Sequence, residues 1–271
     1  MDQTIVKFFE KVDEKLVDTP SWLPCKKIGC CDGVAGCCRN SMYAMVTWLE
    51  MEYIYESKIK KMRQEERVEI YLKAYEQTEA LKATNPEFFA NLDNGLVADV
   101  AEGLAIAFKA VENKICPFLN QETNACGVYE ARPLICRAFG QCASQKTNDA
   151  GEKEPYLIGC DTTFEASKAF DSVDYPNYAA MQGILFKIAA PSINGFRVQM
   201  IAKPLQFWVL DLADGNGDLT NQDNVFASIR QLIASRLQQI DIQTPTNKAE
   251  SEKNEHKGDG LTNSVGGAQK E

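Results

Sequence analysis

The spacing of apolar residues predicts a mainly helical protein. In the N-terminal segment MDQTIVKFFEKVDEKL, apolar side chains recur every three or four residues, which predicts a short amphipathic helix over residues 1–18. Residues 42–81 are rich in Glu, Lys, Met and Leu and contain neither Gly nor Pro, so they predict one long helix, or two with a break near the polar residues 60–67. Asn85 and Pro86 end this segment, because helical backbone is disfavoured in the residue before a proline.

The second half of the chain continues the helical pattern. Helices are predicted near residues 96–111, 161–170, 177–189, 203–212 and 221–240. A polar loop is expected over residues 144–154, and a short strand over residues 196–201. Residues 243–271 have almost no large apolar side chains, so we expect a disordered tail there. The predicted fold class is mainly α: a single helical domain over residues 1–242, with a C-terminal helical part at 161–242, around an irregular cysteine-rich centre.

A small β-hairpin is predicted between the two helical halves. Two short apolar runs, at residues 115–119 and 125–129, flank a polar segment that favours a turn, and this hairpin brings Cys116 and Cys126 near each other. Pro133 then fixes its own φ and keeps the preceding residue out of helical backbone, so the chain turns and presents Cys136 from a new direction. Three thiols are therefore expected to converge on one point.

Cysteines are the main candidates for chemistry. The chain has ten, and five of them form an upstream group with the spacing C-x4-C-C-x5-C-C in which glycines allow tight bends. The candidate metal ligands are Cys25, Cys30, Cys31, Cys37, Cys38, Cys116, Cys126, Cys136, Cys142 and Cys160. The only histidine, His256, lies in the predicted tail, so a metal in the folded part must be held mainly by thiolates. All-sulfur sites suit zinc or an iron–sulfur cluster, and copper(I) is a lesser alternative.

Composition and charge indicate the compartment and the kinds of partner that are expected for this protein. The chain lacks an apolar run of about 18 residues and has no apolar signal-peptide core near its N-terminus, which predicts a cytoplasmic protein with no membrane partner. In a reducing compartment, ten cysteines favour metal binding, whereas disulfides in an exported protein or simply buried thiols are the alternatives. A net charge of −9 argues against nucleic acid as a partner, because phosphate binding needs a basic surface.

Four sequence words resemble a known family. These are GCCR at residues 36–39, VTWLEMEYI at 46–54, CPFL at 116–119 and C-x-VYEARPLICRAF at 126–139. Together, over residues 25–142, they resemble the CxxCxxCC-type family of zinc- or iron-chelating domains. The resemblance implies a centre that includes Cys37, Cys38, Cys116, Cys126 and Cys136. A related cysteine motif in flagellin lysine N-methylases, which are taken to carry an iron–sulfur cluster, favours iron–sulfur slightly over zinc.

Three functions remain open at this stage. The leading hypothesis is a metal-binding protein with an all-cysteine iron–sulfur or zinc centre and a redox or metal-handling role. The second is an enzyme similar to a protein N-methylase that uses the centre structurally. The third is a structural zinc module that binds a protein partner. Catalytic triads need a histidine in the fold, and neither a Walker A nor a G-x-G-x-x-G motif occurs, so whether the chain is an enzyme stays undecided.

A second candidate site lies at residues 211–223, DLADGNGDLTNQD, between two predicted helices. The alternation of acidic and amide residues around two glycines resembles an EF-hand loop, although the first ligand is missing. The candidate calcium ligands are Asp211, Asp214, Asn216, Asp218, Thr220 and Asp223. We expect weak calcium binding there, on the order of 10⁻⁴ to 10⁻³ M. The alternative is a turn that caps the following helix.

Overall fold

The computed structural model describes residues 2–17, 38–39, 44–87, 89, 115–147, 151–159, 175–189, 192–193, 196–197 and 202–243. Of the residues it describes, 64% are helical, which confirms the mainly α prediction. The helices in this part are α1 (Gln3–Val17), α2 (Trp48–Ser57), α3 (Gln64–Thr84), α4 (Leu134–Ala138), α5 (Tyr178–Ala189), α6 (Leu205–Leu212) and α7 (Gln222–Gln243). Single 3₁₀ turns occur at Ile59–Lys61 and Tyr129–Ala131.

The strands are short and pair only in twos within the described residues. They are β1 (Met45–Thr47), β2 (Leu119–Asn120), β3 (Ala125–Cys126), β4 (Cys142–Thr147), β5 (Lys153–Ile158), β6 (Ser192–Ile193), β7 (Phe196–Arg197) and β8 (Ala202–Pro204). Three of the four antiparallel pairs join neighbours along the chain, namely β2–β3, β4–β5 and β6–β7. The fourth pair joins β1 to β8, with Val46 opposite Lys203, and so connects two distant parts of the sequence.

Most predicted helices are present close to their expected bounds. The first forms α1, and the break expected near residues 60–67 is the 3₁₀ turn and bend between α2 and α3. The helices expected at residues 177–189 and 221–240 are α5 and α7. The helices predicted at 96–111 and 161–170 and the tail after residue 243 lie outside the described residues, and so do residues 198–201 of the predicted strand.

Two helix boundaries differ from the sequence prediction. The helix expected from residue 42 begins only at Trp48, because Met45–Thr47 pairs with β8 and Thr47 caps the helix. The helix expected from residue 203 begins at Leu205 for the same reason, since Ala202–Pro204 is the other strand of that pair.

The polar loop expected over residues 144–154 is also wrong. Most of that stretch belongs to the hairpin of β4 and β5, in which Ala143 lies opposite Leu157 and Ser144 lies opposite Tyr156. Leu157 and Ile158 in this hairpin are buried, whereas Gln145, Lys153 and Tyr156 are exposed, so the stretch combines apolar and polar positions.

The core is built from α1, α2 and the C-terminal helices. Its largest fully buried side chains include Phe9, Leu49, Trp208 and Phe226. The indole N–H of Trp208 donates to the carbonyl oxygen of Val46 at 2.8 Å, which satisfies a polar group that burial would otherwise leave unpaired. In the part of the chain that the structure describes, no helix combines the length and apolar character needed to cross a bilayer.

Candidate metal centre

The predicted hairpin forms as β2 and β3, with Leu119 opposite Cys126. Its turn is stabilised by Asn120, whose Oδ1 accepts the N–H groups of Glu122 at 3.0 Å and Thr123 at 2.9 Å. Asn124 has a φ of 52°, a left-handed conformation that asparagine tolerates better than most residues. The strands are shorter than predicted, because the chain between Cys116 and Leu119 is itself a turn.

The upstream cysteine group lies directly against this hairpin. The N–H of Cys116 donates to the carbonyl oxygen of Cys38 at 2.7 Å. Next to it, Nε of Arg39 donates to Oδ1 of Asn124 at 3.1 Å, and its Nη2 donates to the carbonyl oxygen of Gln121 at 3.4 Å. Two cysteine groups that are far apart in sequence therefore share a backbone hydrogen bond and a side-chain clamp.

Cys136 lies on α4, which begins where the sequence predicts a change of direction. Arg132 and Pro133 are extended, with φ and ψ of −53° and 143° and of −65° and 162°, and helical backbone starts at Leu134. Together with Cys116 and Cys126, Cys136 is half-buried and packs against the hydrophobic core. Each of these three side chains therefore lies at the edge of the core and is partly exposed to solvent.

Glu50 on α2 binds the start of α4. Its Oε1 accepts the N–H of Leu134 at 2.8 Å, and its Oε2 accepts the N–H and the hydroxyl of Thr47 at 2.8 and 2.9 Å. The side chain is buried, and this desolvation raises its pKa, although the hydrogen bonds from Leu134 and Thr47 lower it. The sequence contained part of this arrangement, since Thr47-x-x-Glu50 matches a capping box. The contact with Leu134 had no sequence signal.

Arg137, which follows Cys136, is a second residue that the sequence analysis missed. Only 3% of its side chain is exposed, and Nη1 binds both carboxylate oxygens of Asp13 at 2.5 and 2.6 Å. Its Nε donates to the carbonyl oxygen of Arg132 at 2.7 Å, and its Nη2 donates to that of Glu130. Arg137 thus connects α1 to the backbone that precedes Cys136.

Cys142 differs from the other described cysteines. It is fully buried at the start of β4, opposite Ile158, within the hydrophobic core. Burial raises the pKa of its thiol to about 12, so it is protonated at neutral pH. These features suit a core residue better than a metal ligand.

We therefore predict that Cys142→Ala leaves the metal content of the protein unchanged. Loss of the buried sulfur should lower the free energy of unfolding by about 1 kcal/mol. Elemental analysis and urea denaturation of the same sample measure the two quantities. A loss of metal in proportion to that seen for a hairpin cysteine variant would show that Cys142 is a ligand.

The described residues do not contain a complete metal site. No three of their Cys, His, Asp and Glu side chains are grouped to hold a metal ion, so the predicted convergence of Cys116, Cys126 and Cys136 on one point is not seen. Five of the candidate ligands lie outside the described residues: Cys25, Cys30, Cys31, Cys37 and Cys160. A four-thiolate site at the junction of Cys38 and Cys116 therefore needs ligands from this second set, and the full ligand set stays a prediction.

In the EF-hand-like loop, Asp214 binds its own loop. Its Oδ1 accepts the N–H groups of Asn216 at 2.8 Å and Asp218 at 3.0 Å, and its Oδ2 accepts the hydroxyl of Thr220 at 3.1 Å. The two backbone hydrogen bonds lower the pKa of Asp214 below its usual value. This is the hydrogen bonding of an aspartate-based turn.

The other carboxylates of the loop have separate partners. Asp218 forms a bidentate ion pair with Arg67 of α3, at 2.6 Å to Nε and 2.9 Å to Nη2, and Asp211 pairs with Lys203. Asp223 lies in the first turn of α7. The geometry thus favours the alternative of a helix-capping turn, and calcium binding stays a prediction that would require Asp218 to leave Arg67.

Comparison with known proteins identifies the central part of the chain. Residues 25–156 match a family model, CxxCxxCC, whose description is a putative zinc- or iron-chelating domain. No curated protein and no solved structure matches the chain. The matched segment contains nine of the ten cysteines, and Cys160 lies outside it. It also contains the Cys38–Cys116 junction, the hairpin and α4. Residues 25–156 of this chain, just under half of its length, therefore carry a match to the CxxCxxCC domain and to no other protein in these comparisons.

Proposed function

We propose that this protein binds zinc or an iron–sulfur cluster through cysteine thiolates at the junction between the upstream cysteine group and the hairpin. The observation that carries the proposal is the 2.7 Å hydrogen bond from the Cys116 N–H to the Cys38 carbonyl. This hydrogen bond joins the two cysteine groups of a chelating domain through residues that are themselves cysteines. Ligands from both groups are thereby available to one centre.

The residue types fit such a group. Thiolates are the ligands that zinc and iron–sulfur clusters share, and no histidine lies in the described residues to complete a mixed site. Cys38, Cys116, Cys126 and Cys136 are half-buried rather than fully enclosed, so a metal can reach them. Arg39 lies against the hairpin turn, where its positive charge offsets part of the negative charge of a thiolate site.

Between the two centres we favour the iron–sulfur cluster. Cys37 and Cys38 are adjacent, and adjacent side chains point in different directions in regular backbone. A cluster, which presents several iron atoms, uses such a pair more readily than a single zinc ion. The chemistry that a cluster would supply is one-electron transfer, which corresponds to a redox or metal-handling role.

Metal analysis and absorption spectroscopy of anaerobically purified protein test the proposal. We expect about two or more iron atoms per chain and a broad visible absorption that dithionite bleaches. Cys116→Ser and Cys126→Ser should each remove most of the metal, whereas Cys142→Ala is the matched cysteine control and should not. A colourless protein with one zinc per chain would replace the cluster by a zinc site. Protein that takes up neither metal would contradict the proposal as a whole.

A further inference from the structure

The turn that carries Cys136 is held by two buried charged side chains that no sequence motif for metal binding includes. Glu50 accepts the first N–H of α4, that of Leu134, at 2.8 Å. Arg137 donates to the carbonyl oxygens of Glu130 and Arg132 on the chain that enters the turn. The N–H at the start of α4 and the carbonyl groups before it therefore each have a partner outside the turn's own backbone.

Glu50 is suited to this role because it is a carboxylate. Its two oxygens accept three hydrogen bonds. Oε1 accepts the N–H of Leu134, and Oε2 accepts both the N–H and the hydroxyl of Thr47. A glutamine has a single acceptor oxygen, and its NH₂ group would oppose one of these donors. An aspartate is one methylene shorter and would not span the same distance from α2 to α4.

The contact between Glu50 and Leu134 affects Cys136 because Leu134 lies close to Cys136 in the sequence. Leu134 lies two residues before Cys136, on a helix of only five residues. So short a helix has little stability of its own, and its orientation depends on contacts with neighbours. Glu50 is on α2, a ten-residue helix with a capping box and several fully buried side chains, which is a rigid support.

We propose that Glu50 is a positioning residue for the metal centre: by binding the Leu134 N–H, it fixes the direction in which α4 presents the Cys136 thiol. This inference rests on the proposed function, in which Cys136 is a ligand. Second-sphere contacts that orient ligands typically change metal affinity by about 10- to 100-fold when they are removed.

The test uses Glu50→Gln in the full-length protein, with two measurements. In the metal-loaded protein, transfer of metal to a colorimetric chelator should be about 10- to 100-fold faster than in the wild type. In the metal-free protein, maleimide labelling followed by peptide mass spectrometry should show faster modification of Cys136, whereas Cys126 on the hairpin should react at the wild-type rate.

Two controls separate positioning from loss of stability. Arg67→Gln disrupts a charged pair with Asp218 elsewhere in the fold and should lower the melting temperature without changing the rate of metal transfer. As a second control, the same Arg67→Gln variant in its metal-free form should label Cys136 at the wild-type rate, because the substitution does not touch the turn at Leu134.

Each result decides the proposal. Wild-type transfer rates in Glu50→Gln, equal acceleration in the stability control, or equal labelling increases at Cys126 and Cys136 would each overturn it. If the wild-type protein takes up neither zinc nor iron, the proposed function fails. The labelling of Cys136 in the metal-free protein then still decides whether Glu50 fixes this turn.

Discussion

Replacing Arg137 with alanine should lower the free energy of unfolding by about 3 kcal/mol, since hydrogen bonds to charged groups typically contribute about 1.5–3 kcal/mol and the buried stem of the side chain also packs in the core. Its guanidinium is 3% exposed, binds Asp13 through two short contacts and donates to two backbone carbonyls. Its Cζ also lies 4.5 Å from the ring centroid of Phe9, a cation–π contact inside the core. Truncation would remove all of these contacts at once and leave the carbonyls of Glu130 and Arg132 without this donor.

Urea denaturation measures this loss, and Arg132→Ala is a matched control on the same segment. Among the described residues, the contacts of the Arg132 side chain are local. Its Nε donates to the carbonyl oxygen of Tyr129 at 2.9 Å, and its Cζ lies 3.8 Å from the centroid of the Tyr129 ring. We expect that control to cost about 1 kcal/mol or less. Equal effects of the two substitutions would contradict the view that Arg137 connects α1 to the Cys136 turn.

Trp208→Ala should destabilise the protein by about 3–5 kcal/mol, the usual range for a large aromatic side chain removed from a core. Trp208 is fully buried on α6, and its ring also lies 4.0 Å from Nζ of Lys203. The substitution would create a cavity and would also leave the carbonyl oxygen of Val46 without the indole N–H that it accepts at 2.8 Å.

Trp208→Phe separates the hydrogen bond from the packing. The phenyl ring retains most of the apolar contact, so we expect a loss of about 1–2 kcal/mol that reflects the unpaired carbonyl of Val46. Trp48→Phe is the matched variant, because the Trp48 indole donates to the carbonyl oxygen of Ala189 at 3.0 Å. Both variants are compared with the wild type by urea denaturation. A Trp208→Phe protein as stable as the wild type would show that the hydrogen bond contributes nothing.

The helices and the cysteine hairpin could be predicted because their causes are local. The period of apolar residues determines α1, and Pro133 alone is enough to place a change of direction before Cys136. The role of Glu50, in contrast, depends on residues that are distant in the sequence. Glu50 is one of three acidic residues in helix α2, and nothing nearby in the sequence indicates that it is buried. Its burial depends on the N–H of Leu134, which only the tertiary fold brings to it.

Pairing between residues that are distant in the sequence could not be predicted. Strands β1 and β8 have three residues each, too few for an alternating pattern, and they form because Val46 meets Lys203 across the fold. The loop at 211–223 was ambiguous for a similar reason. Its acidic residues match a calcium loop by type, but Arg67 on a distant helix neutralises Asp218 instead.

The contacts around the β1–β8 pair cross the ends of the segment that matches the family model. The family segment spans residues 25–156, yet Val46 and Trp48 within it make hydrogen bonds to Trp208 and Ala189 beyond it, and Arg137 binds Asp13 before it. The segment that matches the family model is therefore not the unit that buries its own interior in this chain. Separated from the flanking helices, it would lose the partners of Val46, Trp48 and Arg137 and would expose side chains that are buried here.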